Sequence, residues 1–308
     1  MITVFAGGVG ASRFLQGLLS VVEPADVIVI SNTGDDVEMF GLHVSPDVDI
    51  VIYALAGMAV PDKGWGIAGD TFDVVDQLEQ FGYPRWFNLG DRDIATSIHR
   101  TRLLRDGVPQ HQVIANLVEA WGLGCAILPM TNQRVSTVIE GPDGPVDFQD
   151  YMVRLGTDVA VKDIRFDGVD AASPAPGVLE AIRDSEVLVI APSNPFVSIG
   201  PILAVPGVRE AMESTRTTRV AISPIVAGDV VKGPAAKMLR SLGHEVSAVG
   251  VANVYRGLID VFVIDELDRE LAPTVESLGL RCVVAQTMMT DSRRKSELAR
   301  AVLTAARA

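Results

Sequence analysis

Two rhythms alternate along this chain. Short apolar, β-branched runs such as Ile2-Thr-Val-Phe5 and Val27-Ile-Val-Ile30 are nearly continuous, the pattern of strands covered on both faces. Between them lie stretches whose apolar positions recur every three to four residues, as on a helix with one buried face. Strands are therefore expected over 2–6 and 26–31, with a helix over 11–21 between them. Asp47–Leu55 adds a further apolar segment ahead of a glycine-rich loop, Gly57–Gly69. Helical spacing returns over Thr71–Phe81 (Phe72, Val75, Leu78), Ala95–Asp106 and Pro109–Trp121 (Val113, Ile114, Leu117, Val118). Cys125-Ala-Ile-Leu128 reads as a strand stopped by Pro129.

The rhythm breaks over 133–175. Val135–Ile139, Pro145–Gln149 and Val159–Phe166 are β-rich and joined by turn residues such as Gly141-Pro-Asp-Gly144. It resumes with a helix over 176–184, strand Val187–Ala191, a helix near 206–214 and strand Arg219–Ile222. A helix over 234–241, strands near 260–264 and 281–284, and a terminal helix over 292–306 complete the pattern. This alternation predicts an α/β fold, a Rossmann-like, doubly wound, mostly parallel sheet. Residues 1–132 and 176–308 would form that core, and 133–175 a small, mainly antiparallel β insertion.

Composition narrows the function. At 308 residues the chain can bury a large core; 48% of it is hydrophobic, yet no apolar run approaches the roughly 20 residues of a membrane span. The N-terminus has the character of a buried strand rather than a secretory leader. Cys125 and Cys282 stand far apart in apolar surroundings, as expected of buried thiols in a reducing cytoplasm. The net charge of −13 comes from scattered acids and argues against nucleic-acid binding, which calls for a basic face. Solubility accounts for much of that acidity, and part of it is expected to bind metal.

The chemistry concentrates at strand ends. Asn32-Thr-Gly-Asp-Asp36 places two adjacent carboxylates on a turn after the second strand, where an α/β sheet presents its ligand site. Such a pair needs a cation or a proton nearby, although a capped turn with solvated charges is the plainer alternative. Asp47 and Asp49 in Ser45-Pro-Asp-Val-Asp49 would share a face if that segment is extended. An oxygen-only set of Asp35, Asp36, Asp47 and Asp49 suits Mg2+, which keeps waters and bridges substrate phosphates. Asp70 fits an ordinary helix N-cap.

Gly7-Gly-Val-Gly10 lacks the full dinucleotide spacing, but it lies between a strand and a helix whose free N–H groups can hold an anion. Ser12 and Arg13 add a hydroxyl and a cation in the first turn. Asn88-Leu-Gly-Asp-Arg-Asp93 is a second acidic, glycine-bearing cluster, open to a capping explanation. Ser193-Asn-Pro-Phe-Val-Ser-Ile-Gly200 and Ser223-Pro-Ile-Val with Lys232-Gly-Pro234 follow later strands and offer hydroxyls, an amide and cations to a nucleotide. His43, His99, His111 and His244 have no metal-ligand spacing, and no nucleophilic triad can be read.

In order along the chain, Gly7-Gly-Val-Gly10, Asn32-Thr-Gly-Asp-Asp36, Ser45-Pro-Asp-Val-Asp49, Trp65-Gly-Ile, Gly69-Asp-Thr-Phe72, Leu89-Gly-Asp-Arg-Asp93, Ser193-Asn-Pro and Ser198-Ile-Gly-Pro-Ile202 resemble the 2-phospho-L-lactate transferase family of coenzyme F420 biosynthesis. Phe148-Gln-Asp150, Ser223-Pro-Ile225, Gly233-Pro-Ala235 and Asp260-Val-Phe262 extend the resemblance nearly end to end. It implies a phosphotransferase for substituted phosphate groups. A phosphoenolpyruvyl or 2-phospho-L-lactyl unit would pass from a guanosine diphosphate-linked donor to the terminal ribityl hydroxyl of the deazaflavin Fo, releasing GMP. The Ala-, Arg-, Val- and Asp-rich composition inclines towards the actinobacterial, phosphoenolpyruvyl branch.

Within that resemblance Mg2+ would be held by Asp35, Asp36, Asp47 and Asp49. Asp36 is the expected general base, and Asp49, with Asn88 or Asp91, the expected contact to Fo. Some archaeal members carry a basic residue at the position of Asn88. Gly7, Gly8, Gly10, Ser12 and Arg13, with Ser193, Asn194, Ser198 and Gly200, would hold the guanosine diphosphate. A homodimer is implied, with small-molecule substrates only. The alternative is a non-catalytic nucleotide-sugar-binding regulator of the gluconeogenesis-factor group, in which a basic, glycine- and serine-rich segment replaces Thr33-Gly-Asp-Asp36. A dinucleotide-dependent oxidoreductase is more distant, because the glycine fingerprint is broken.

Overall fold

The computed structural model describes residues 1–230 and 233–308; Lys232, one of the cations considered above, lies outside the described residues. Strand β1 (Ile2–Ala6) enters helix α1 (Gly8–Leu18) and the chain returns as β2 (Val27–Ser31), parallel to β1 with Val27 opposite Ile2. A hairpin of β3 (Val37–Met39) and β4 (Leu42–Val44) follows, then α2 (Pro46–Leu55), α3 (Asp73–Gln80), α4 (Asp91–Arg105) and α5 (Gln110–Ala120). Strand β5 (Ala126–Pro129) then pairs on the far side of β2. Next comes a three-stranded antiparallel sheet of β6 (Ser136–Gly141), β7 (Gly144–Asp147) and β8 (Asp163–Asp167), with β6 in the middle.

Helix α6 (Val178–Asp184) returns the chain to the sheet, where β9 (Val187–Ile190) pairs with the open side of β1. Helices α7 (Gly200–Ala204) and α8 (Val208–Ser214) lead to β10 (Thr218–Ile222). A short ladder of β11 (Ile225–Val226) and β12 (Asp229–Val230) precedes α9 (Ala235–Ser241) and α10 (Ala248–Val254). Strand β13 (Val261–Asp265), α11 (Ala272–Ser277), β14 (Arg281–Ala285) and α12 (Ser292–Arg307) finish the chain. The seven parallel strands lie in the order β14-β13-β10-β9-β1-β2-β5. Winding reverses between β1 and β9, so the crevice at their carboxyl ends is the topological switch point.

Alternate strand residues feed two cores. Val4, Val29, Val189 and Val263 pack with Phe14, Leu15, Ile52 and Val302 on one face. Phe5, Ile30, Ile190 and Phe262 pack with Ile182, Val208, Met212 and Val251 on the other. Cover on both faces is the reason the strands lack polar alternation. No helix among the described residues is long and apolar enough to cross a membrane. Cys125 is buried, Cys282 is half-buried, and both are free.

Several local expectations change. Asp47–Leu55 is helical rather than extended: Pro46 opens α2, and Val48, Val51 and Ile52 form its buried stripe. Asp47 and Asp49 therefore do not share a face; two residues apart on a helix, they diverge by about 200°. The segment Val159–Phe166 pairs only from Asp163 onward, and 150–154 forms a π-helical turn. Helix α3 buries only Val75, leaving Phe72 and Phe81 exposed. It is held by reciprocal capping: Asp91 accepts from Thr71 Oγ1 and the Asp73 and Val74 amides, while Asp70 accepts from the Arg92 amide at the start of α4. Asp70 is a cap as expected, but it caps α4 rather than the helix that follows it directly.

Candidate active site

The switch point holds a cavity of about 400 Å3. Its floor is the β1–α1 turn, where Gly8 adopts φ +71 and the first N–H groups of α1 are free of helix partners. A Cβ on Gly10 would lie 2.0 Å from the Pro192 carbonyl, and one on Gly7 would lie 2.5 Å from Asp47 Oδ2 and 2.7 Å from Ser198 Cβ. Glycine is required at both positions by space, since the loop after β9 and the start of α2 press directly on the turn. Ser193 Oγ donates to the Gly7 carbonyl at 2.9 Å, and Asn194 Oδ1 accepts from the Phe196 amide at 2.9 Å, fixing the loop beside the turn.

Of the anticipated nucleotide residues, Gly7, Gly8, Gly10 and Arg13 line the cavity, as do Ser193, Asn194 and Ser198. Ser12 does not: it is buried and donates to the Val9 carbonyl at 3.0 Å, inside its own helix turn. Gly200 begins α7, where an added Cβ would lie 3.1 Å from the Phe166 ring. Ser223, Gly233 and Pro234 of the later loop also reach the cavity.

The four aspartates divide into two pairs. Asp35 and Asp47 line the cavity, whereas Asp36 and Asp49 do not. Asp35 is buried with Oδ1 lacking a hydrogen-bond partner, and burial, then the charge of Asp47, raises its pKa well above the usual carboxylate range. Burial likewise pushes Asp47 up to about 7, opposed by the Asn32 amide, which donates to its Oδ2 at 2.9 Å.

Asp36 faces the other way. Its Oδ2 accepts from Ser45 Oγ at 2.8 Å and Gln110 Nε2 at 2.7 Å and lies 2.8 Å from His43 Nε2, tying the β3–β4 hairpin to α5. Asp49 forms a two-pronged ion pair with the fully buried Arg100, whose Nη1 lies 3.1 Å from Asp49 Oδ2 and whose Nη2 contacts Oδ1. Asn88 and Asp91 sit away from the cavity: Asn88 Oδ1 accepts from Arg85 at 3.4 Å, and Asp91 is the cap of α3.

No set of three or more His, Cys, Asp or Glu side chains is gathered around one point among the described residues. A closed protein cage for a metal is therefore absent from them. Two buried carboxylates, one with an orphaned oxygen, at the edge of a glycine turn with free N–H groups do fit Mg2+, which is held by one or two carboxylates together with substrate phosphates.

Several residues of the wall are not among the site residues expected from the sequence, although Trp65, Phe148 and Gln149 fall within motifs that carry the resemblance. Phe148, Gln149 and Met152 come from the insertion, and Gln149 Nε2 donates to the Asp35 carbonyl at 3.3 Å. Thr287, Met288 and Met289 follow β14, and Trp65 enters from the glycine-rich loop. The strand-end rule points to 287–289, whereas nothing local in the sequence aims 148–152 at the sheet.

The profile of a family described as 2-phospho-L-lactate transferase CofD matches residues 2–305. The chain is 43% identical to a phosphoenolpyruvate transferase of Streptomyces coelicolor, over 99% of this chain and 98% of that protein. It is 38% identical to a 2-phospho-L-lactate transferase of Methanosarcina mazei, over 98% of this chain and 99% of that one. Among solved structures, a member of the UPF0052 family from Bacillus halodurans superposes with a TM-score of 0.64 at 18% identity, covering 98% of both chains, a likeness of fold alone. End-to-end relatedness at this level, together with a glycine turn and paired carboxylates meeting at the switch point, places the chain in the 2-phospho-L-lactate transferase (CofD) family.

Proposed function

We propose that this protein transfers a phosphoenolpyruvyl group from a guanosine diphosphate-linked donor to the terminal ribityl hydroxyl of the deazaflavin Fo, releasing GMP, in coenzyme F420 biosynthesis. One observation carries the reading: a glycine turn with free N–H groups and two buried carboxylates, which pair with no cation among the described residues, line the same cavity. The phosphoenolpyruvyl donor is favoured because identity is 43% to the Streptomyces coelicolor protein named for it and 38% to the Methanosarcina mazei protein named for phospholactate. Relatedness to transferases over the whole chain also outweighs the regulatory alternative.

The N–H groups of Gly8 to Gly10, with Ser193, Asn194 and Ser198, would bind the diphosphate, and Arg13 would meet it at the rim. Asp35 and Asp47 would hold Mg2+, which when bound neutralises charge on the phosphates. Positioning and charge neutralisation carry most of a phosphoryl transfer. Because Asp35 and Asp47 line the cavity and Asp36 does not, one of that pair would take the acceptor's hydroxyl proton in place of Asp36. Asp36 and Asp49 would hold the surrounding frame.

Mass spectrometry of the product formed from Fo and each candidate donor tests the reaction. Asp35→Asn and Asp47→Asn should each lower turnover on the order of 100-fold or more. Wild-type turnover in both variants, or no binding of Fo by the intact protein, would overturn the reading.

A further inference from the structure

Three segments that bound the cavity are joined by one side chain, Asn32. It follows the last residue of β2, its backbone N–H donates to the Ala6 carbonyl at 3.0 Å, and it has no exposed surface. Its Oδ1 accepts from the Gly34 amide at 2.8 Å and so shapes the turn that presents Asp35. Its Nδ2 donates to Asp47 Oδ2 at 2.9 Å, in the first turn of α2, and to the Val197 carbonyl at 3.2 Å, in the loop that carries Ser198. Both amide hydrogens and the carbonyl oxygen are thus used on three different parts of the site.

The placement leaves little freedom. A Cβ on Gly34 would lie 2.9 Å from Pro201 Cβ and 3.0 Å from Asn32 Oδ1, so the turn is closely packed where Asn32 holds it. Asp47 Oδ2 is also the atom nearest the missing Cβ of Gly7, so movement of that carboxylate is felt at the phosphate turn. A carboxamide suits this position chemically: a carboxylate would repel Asp47, and an aliphatic side chain would leave the Val197 carbonyl and Asp47 unpaired.

Resting on the metal-dependent transfer proposed above, we propose that Asn32 is the positioning residue of the site. It fixes the direction of Asp47 and Asp35 together, and thereby the affinity for a divalent cation in the presence of a guanosine diphosphate group. It touches neither the reacting phosphorus nor the acceptor. Outer groups that orient metal-binding carboxylates are typically worth about 10- to 100-fold in metal affinity.

The test is Mn2+ binding, followed by electron paramagnetic resonance in the presence of GDP, for the wild type, Asn32→Ser, Asp47→Asn and the double variant. A serine keeps an acceptor for the Gly34 amide but cannot reach Asp47. Asn32→Ser should weaken Mn2+ binding by about 10- to 100-fold, and the effect should vanish in the Asp47→Asn background, where the two residues form one unit. An equal loss in both backgrounds means that Asn32 acts through general packing and overturns the proposal, as does unchanged Mn2+ affinity. Failure of the wild type to bind Mn2+ with GDP overturns the metal-dependent reading itself and this inference with it.

Should Asn32→Ser not fold, the exchange Asn32→Asp with Asp47→Asn re-forms the hydrogen bond with its donor reversed. It should recover the melting temperature lost in Asn32→Asp alone while leaving Mn2+ affinity low. Recovery of both, or of neither, counts against Asn32 acting through Asp47.

Discussion

Arg100 is the most committed single residue in the molecule. A guanidinium with no exposed surface is stable only because Asp49 neutralises it and the His43 carbonyl accepts a further hydrogen bond. Arg100→Leu should cost about 3–5 kcal/mol in chemical denaturation, and Arg100→Leu with Asp49→Leu should recover part of that loss. If the single and double variants lose the same stability, the pair is not what holds this region. Asp93 illustrates the opposite case. Burial, and next the charge of Asp49, push its pKa up to about 6 from 3.8. The native state keeps this proton after the unfolded chain has released it, so stability falls as pH rises from about 4 to about 6. Asp93→Asn should flatten that part of the stability–pH curve, removing a fall of about 1–3 kcal/mol. Urea titrations at about pH 4, 5, 6 and 7 read the slope directly, and an unchanged slope removes Asp93 as its source.

Among the elements, α1 and α2 show how packing gives meaning to sequence signals. The glycines of the β1–α1 turn read in the sequence as a candidate anion site, but their steric necessity comes from the loop after β9, whose Pro192 carbonyl occupies the space a Cβ on Gly10 would need. Gly10→Ala should therefore cost about 1–3 kcal/mol through overpacking and weaken GDP binding. Calorimetry that finds wild-type stability and GDP affinity would show that the turn yields freely. The apolar run of α2 fits either a strand or a buried helix, and an extended segment would have aligned Asp47 with Asp49. Pro46 at the first helical position and two acids in the first turn favour the helix. In the helix, Asp47 points to the cavity and Asp49 to Arg100.

At the scale of the whole molecule, the site is assembled from parts far apart in the chain. The β1–α1 turn meets the loop after β9 because the sheet reverses its winding between those strands. The insertion adds a wall through Phe148, Gln149 and Met152, and the end of β14 adds another through Thr287–Met289. The positions of the seven parallel strands, the α/β class, the glycine turn and the family are written in local residue patterns, because periodicity, turn chemistry and motif order are properties of neighbours in sequence. What only the tertiary structure decided is the direction each acid faces. Asp35 and Asp36 are adjacent and chemically identical, yet one enters the cavity while the other is held by His43, Ser45 and Gln110. Asp49 meets an arginine 51 positions away, and Asn32 reaches a carbonyl 165 positions away. A side chain's partner depends on where distant segments pack, and packing, rather than the identity of the residue, sorts these carboxylates into those that line the cavity and those that hold its surroundings.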